Sequence, residues 1–286
     1  MKRHEVLGFQ IKDPVFIFGT SLPQRLADYQ SKTAPSKHCQ QFPRYLGIQS
    51  ECKDAALQHL GVASELEVNL HLNRGMDYCI DYYLGTWWKQ EPDPEIVRML
   101  PSHWRGTCEA DAMALDKTRP DRELKWFDPL PYTFMLGGLT NRWSDVVRVC
   151  EWFDETFEMQ YQAGTIDDEF MLLFLCMALQ QKKNPPACLG DMVNVVQNAK
   201  PKRTKLLCAA WEAAIAGNQT AFDKAFADGL KIFVSKEMDD GSNVMLWMAV
   251  KDTAVWAIAE RNGLKFPKLN DKCEAVVMRR ETIGLG

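Results

Sequence analysis

Histidine is scarce in this sequence and unevenly placed. There are five, His4, His38, His59, His71 and His103, and none follows in the rest of the 286 residues. A region without imidazole lacks the one side chain that ordinarily titrates near neutrality, and with it the commonest metal ligand. There is no GxxxxGK[ST] loop, no strand-linked GxGxxG, no GxSxG elbow and no HExxH helix. The commonest nucleotide-binding, ester-hydrolysing and zinc-peptidase arrangements are thereby excluded. No apolar run is long either. The longest, FMLLFLCMAL at Phe170–Leu179, is about half of what a bilayer-spanning helix needs, and it reads as a buried central helix. Met1–Phe9 lack the apolar stretch and cleavage site of a secretory signal, so a soluble protein is expected. The nine cysteines form no CxxC pair, are odd in number and sit among apolar neighbours. Reduced, core-filling thiols fit that pattern better than a disulfide framework, and they point to the cytoplasm.

A net charge of −4 gives the whole chain no bias toward nucleic acid or an anionic membrane. The distribution is more informative. Residues 91–169 carry 17 acidic and eight basic side chains, against net charges of +1 before them and +4 after. A basic partner would be drawn to that middle third.

The periodicity is mainly helical. Only VLGFQI and PVFIFG, separated by the Asp13-Pro14 turn signal, read as strand, in a short β-hairpin or an extended segment at the N-terminus. A helix interrupted at Pro43 follows. Residues 50–73 then predict a helix capped by Ser50, with Ala56, Leu60, Ala63 and Leu66 on one face, and Met76–Trp88 a second. Proline-rich text at residues 89–131 breaks any long helix, which suggests an N-terminal subdomain at 1–130 and a C-terminal helical array at 131–286, or one continuous domain. Past Pro131 the stripes become regular. A helix from Tyr132 is expected to end near Gly137-Gly138, and Val146, Cys150 and Phe153 line the next. Phe222, Phe226, Leu230 and Phe233 mark another stripe, with Thr220 as its cap and Gly217 as the turn before it. Val244, Trp247, Val250, Ala254 and Ile258 mark a long helix that Gly263 ends. Gly138 and Gly217 each precede an aromatic, Trp143 or Phe222, by five residues. Their separation suggests an array of antiparallel, repeat-like helical hairpins of about 40 residues each.

Candidate chemistry is sparse. Cys52 and His59 are two helical turns apart, about 10 Å along the axis, too far to share one zinc ion unaided. His103 and Cys108 could pair as base and nucleophile, with Glu109 or Asp111 nearby, but no orienting third residue is evident. Carboxylates cluster at Glu151, Asp154, Glu155 and Glu158, and again at Asp167, Asp168 and Glu169. The second cluster reads most simply as the cap of the Phe170 helix, and both could form an acidic face for a partner. Trp126 and Tyr132, in the proline-rich connector, would either anchor such a partner or fill the gap between subdomains.

The phrases AAIAGNQTAFDKAFADGL and MLWMAVKDTAVWAIAERNGLKFP resemble the C-terminal half of bacterial polymorphic-toxin immunity proteins, especially the immunity protein 49 family. The shared positions are Gly217, Phe222, Ala257, Ala259, Gly263, Leu264 and Pro267, within about the last 80 residues. The resemblance implies a cytoplasmic, non-enzymatic protein with no cofactor or metal, which blocks a toxin domain by direct binding. Two other readings stand beside it. One is an α-helical enzyme with a site between the subdomains, and the other is a helical-repeat scaffold.

Overall fold

The computed structural model describes residues 2–8, 41–62, 67–84, 129–160, 194, 198, 202–238 and 247–286. Among them there is no strand. Helix α1 is a single turn, Arg3–Val6, followed by α2 (Gln41–His59), α3 (Val68–Leu84), α4 (Pro129–Thr140) and α5 (Trp143–Gln160). Next come α6 (Lys202–Ile215), α7 (Gln219–Ile232), α8 (Val250–Arg261) and α9 (Asp271–Ala275). A π-helical turn, Phe233–Glu237, extends α7, and a 3-10 turn, Glu281–Ile283, lies near the C-terminus.

The expected N-terminal strand begins at Val6, but Val6 closes a helical turn instead. Local bonds favour the turn: the Lys2 backbone N–H donates to Glu5 Oε2 at 2.8 Å. Arg3 and His4 then tie it to the end of α2 through the carbonyls of His59 and Leu60. Leu7 and Gly8 form the turn that follows; residues 9–19 of that expected hairpin lie outside the described residues, as does the Phe170–Leu179 helix.

Helix α2 runs through Pro43 and Ser50 without interruption. Pro43 is its third residue, where a missing N–H forfeits no intrahelical bond. It stops at Gly61 (φ 73°), so the single helix expected over residues 50–73 is two. The stripe Val68, Leu72, Met76, Cys79 and Tyr83 is buried along α3, which therefore begins eight residues before the expected start at Met76.

Helix α4 is the largest departure from expectation. Every residue from Pro129 to Leu139 is buried, and Gly137-Gly138 lie within the helix instead of ending it. They are points of contact. A Cβ on Gly137 would lie 2.2 Å from Val146 Cγ2, and one on Gly138 would lie 2.5 Å from Ala257 Cβ. The turn falls on Asn141, at φ 58°, a left-handed conformation that Asn tolerates. Its hydrogen bonds are paired, Asn141 N–H to Gly138 O at 3.2 Å and Arg142 N–H to Gly137 O at 2.9 Å. The same pair of bonds, centred on Gly61, Gly217 and Gly263, closes α2, α6 and α8. The turn type therefore recurs, although Gly138 does not correspond to Gly217.

The C-terminal stripes are closer to expectation. Phe222, Phe226, Leu230 and Phe233 are buried, and so are Trp211, Trp247 and Trp256. Asn218, whose backbone is extended, caps α7 by accepting from Ala221 N–H at 3.1 Å. Thr220, the expected cap, is already inside the helix. Helix α8 begins at Val250, so Trp247, expected within it, instead lies in the turn before, and Val244 lies outside the described residues. Residues 252–259 are all buried, so the expected stripe widens to every side.

In packing order α2 lies on α3, α3 on α4, α4 on both α5 and α8, α8 on α6, and α6 on α7. The C-terminal segment returns to α1 and α2, and one hydrophobic core joins Leu7 to Ile283. The boundary drawn at residue 130 falls inside the first turn of α4. Gly138→Ala should lower the urea-unfolding free energy by about 1–3 kcal/mol through overpacking, despite alanine's better helix propensity. Adding Ala257→Gly should recover most of that loss, because the clash is between these two positions.

Candidate partner-binding face

Helix α5 is set in place from its first turn. Arg142 donates from Nε to Asp145 Oδ2 at 2.7 Å, and from Nη1 to Asp77 Oδ1 at 2.6 Å and to the Asn73 carbonyl at 3.1 Å. It thus bolts the start of α5 to α3. Arg148 adds a bond to Asp145 Oδ1 at 3.0 Å. Val146, Val149 and Cys150 turn inward and are almost fully buried, while Glu151 is exposed. At 3.6 residues per turn, positions 151, 154, 155 and 158 fall within a sector of about 100°. Glu151, Asp154, Glu155 and Glu158 therefore occupy one face of one helix. Between Arg148 and Lys182 the sequence has seven carboxylates and no basic residue.

The other expected contributors fare differently. Asp167, Asp168 and Trp126 lie outside the described residues, as do His103, Cys108, Glu109 and Asp111. Tyr132 is on α4 and only 9% exposed, so it has little surface to offer a partner.

His59 is committed to the fold. The Ala275 carbonyl, 2.9 Å from Nε2, can only accept, so Nε2 carries the proton. Nδ1 then accepts from the Thr282 hydroxyl at 2.6 Å. Both ring nitrogens are occupied, leaving none for a metal or for Cys52. Burial drives the His59 pKa down to about 3; the Ala275 bond opposes this, and the Arg3 and Arg279 guanidiniums reinforce it. Burial also raises the thiols, Cys79 and Cys208 to about 12 and Cys52 well above its ordinary value. These are packing groups, with little thiolate to act as nucleophile.

Sequence reasoning missed a buried ionic centre. Arg203 on α6 donates to Asp252 on α8 and to Glu237 on the π-helical turn, and it lies 4.8 Å over the Phe233 ring. Asp252 is completely buried, and the loss of hydration pushes its carboxyl pKa up against the pull of Arg203. Apart from the apolar text around Asp252, nothing in the sequence signals this pairing across 49 residues. The π-helical turn, closed by Met238 N–H to Phe233 O at 2.9 Å, carries Glu237 to the guanidinium.

Comparison of the chain with family models, with curated proteins and with solved structures found no match.

The His59 arrangement sets a pH dependence. Its folded pKa lies below the unfolded value of 6.5, so the unfolded chain binds the proton first as pH falls. The stabilisation is complete above pH 6.5 and is lost as pH falls from there toward 3. About 2 kcal/mol should disappear between pH 7 and pH 5 from this group alone. Urea titrations of His59→Gln should show that much less pH dependence over the same range.

Proposed function

We propose that the chain is a non-enzymatic protein-binding platform of the immunity type, which neutralises a cognate bacterial toxin domain in the cytoplasm by direct contact. The observation that carries this reading is the acidic face of α5, with Glu151 exposed and four carboxylate positions in one sector. Carboxylates at i, i+3, i+4 and i+7 repel one another along one helix face, each like-charge pair costing a few tenths of a kcal/mol, about as much as an opposite pair contributes. Carboxylates placed there contribute more to meeting a basic partner than to stabilising the helix. Electrostatic attraction of that kind speeds encounter and selects partners by charge.

The architecture supports the same reading. On this reading the helix pairs are side-by-side antiparallel hairpins of a repeat-like array, which the recurring paired-bond turns and the one shared core support. A pre-ordered surface loses little conformational entropy on association. The buried thiols and the fully engaged His59 are spent on packing, which suits contact better than turnover.

Affinity capture from cells of the source organism, followed by a toxicity assay of the captured protein with and without this chain, tests the proposal. A toxin domain that is silenced on binding is the expected result. The Glu151→Lys, Glu155→Lys double variant should keep its helical circular dichroism and slow association by about tenfold at low salt, with the difference shrinking as salt rises. Stoichiometric recovery of a metal or a metabolite instead, with no protein partner, would move the assignment to an enzyme.

A further inference from the structure

Asn262-Gly263 is the only Asn-Gly pair in the sequence. Such a pair is prone to deamidation because glycine leaves its own nitrogen unhindered. The Gly263 nitrogen gives up its proton and attacks Asn262 Cγ; the bond to Nδ2 breaks and ammonia leaves. Water then opens the five-membered imide at either carbonyl, leaving aspartate or a backbone-extended isoaspartate. Solvent supplies every reactant.

Asn262 is exposed, so solvent can reach it, but the fold opposes ring closure. Its Nδ2 donates to the Ala214 carbonyl at 3.1 Å, which holds the leaving group on α6. The attacking nitrogen is also engaged, with Gly263 N–H donating to Glu260 O at 2.9 Å. Ring closure further requires the Gly263 nitrogen to rotate until it lies beside Cγ, and the Asn262 ψ of 9° keeps it away. Two residues on, Gln219 grips the backbone of Lys265 with both ends of its amide: Nε2 donates to the carbonyl at 2.9 Å, and Oε1 accepts from the N–H at 2.8 Å. Leu264 between them is buried. Residues 262–265 are thereby strapped to the α6–α7 turn.

We propose that Asn262 is a conditional modification site: strapped to the α6–α7 turn it stays an asparagine, and opening of that contact commits it to deamidation. The change is one-way. An aspartate at 262 has no proton to donate to the Ala214 carbonyl, and an isoaspartate shifts the spacing that lets Leu264 N–H reach Ala259 O. The reopened contact therefore cannot close as before, and a chain that has opened is marked.

The test is peptide mapping for aspartate and isoaspartate at position 262 in the full chain, incubated at mildly alkaline pH in native buffer and in concentrated urea. The native rate should be lower by about tenfold or more, because reaction is confined to the opened fraction. Gln219→Ala, confirmed as folded by circular dichroism, should deamidate several-fold faster than the wild type in buffer and at the same rate in urea. Equal wild-type rates in the two conditions would overturn the proposal. So would a folded Gln219→Ala chain whose native rate does not rise.

Discussion

Helices α4 and α8 have almost no exposed side, and they meet where Gly138 lies against Ala257. Close approach of two backbones requires small residues at the crossing, and the dispersion attraction along the rest of the interface depends on it. Around this crossing the other helices find their places. Helix α3 packs on the far side of α4, α6 packs on α8, and Gly137 lets Val146 of α5 come equally close to α4. The polar groups of α4 are resolved within the core. The Thr133 hydroxyl donates to the Pro129 carbonyl, Thr140 donates to Leu136, and Arg280 from the C-terminal segment reaches the Leu139 carbonyl. A cation at that end also complements the helix dipole.

Helix stops matter as much as helix crossings. Four helices end in the same pair of hydrogen bonds, three at glycine and one at Asn141. The stops after α4 and α6 return the chain within two or three residues, which leaves the next helix little freedom of direction. Arg142 follows directly after one of them, and its bonds to Asp77 and Asp145 fix how α5 lies. The acidic face therefore belongs to a helix whose orientation is determined at its opposite, compensated end.

Buried polar groups tie together parts of the chain that are distant in sequence. His59 connects α2 to the C-terminal segment, and Arg203 connects α6, the π-helical turn and α8. Neither arrangement is required for hydrophobic burial. An ion pair in a core is often no more stabilising than apolar residues of the same volume, whereas a core lacking one partner is strongly destabilised. Such groups reward one arrangement of the helices over its near neighbours.

The sequence by itself determined the helical character, the buried stripe at Phe222 to Phe233 and the stop at Gly263. Those features are local, because a period of 3.6 residues and a glycine at a helix end express their meaning within one or two turns. It also located the carboxylates of α5, since their spacing needs only the helix to be read. Tertiary structure alone decided what Gly137 and Gly138 are for. A glycine pair signals a turn as readily as a close approach, and only Val146 and Ala257 distinguish the two. Tertiary structure likewise buried Tyr132, which proline-rich neighbours made look like a connector residue, and paired Arg203 with Asp252. Pairings of that kind depend on which helices become neighbours, and no periodicity within one segment encodes that.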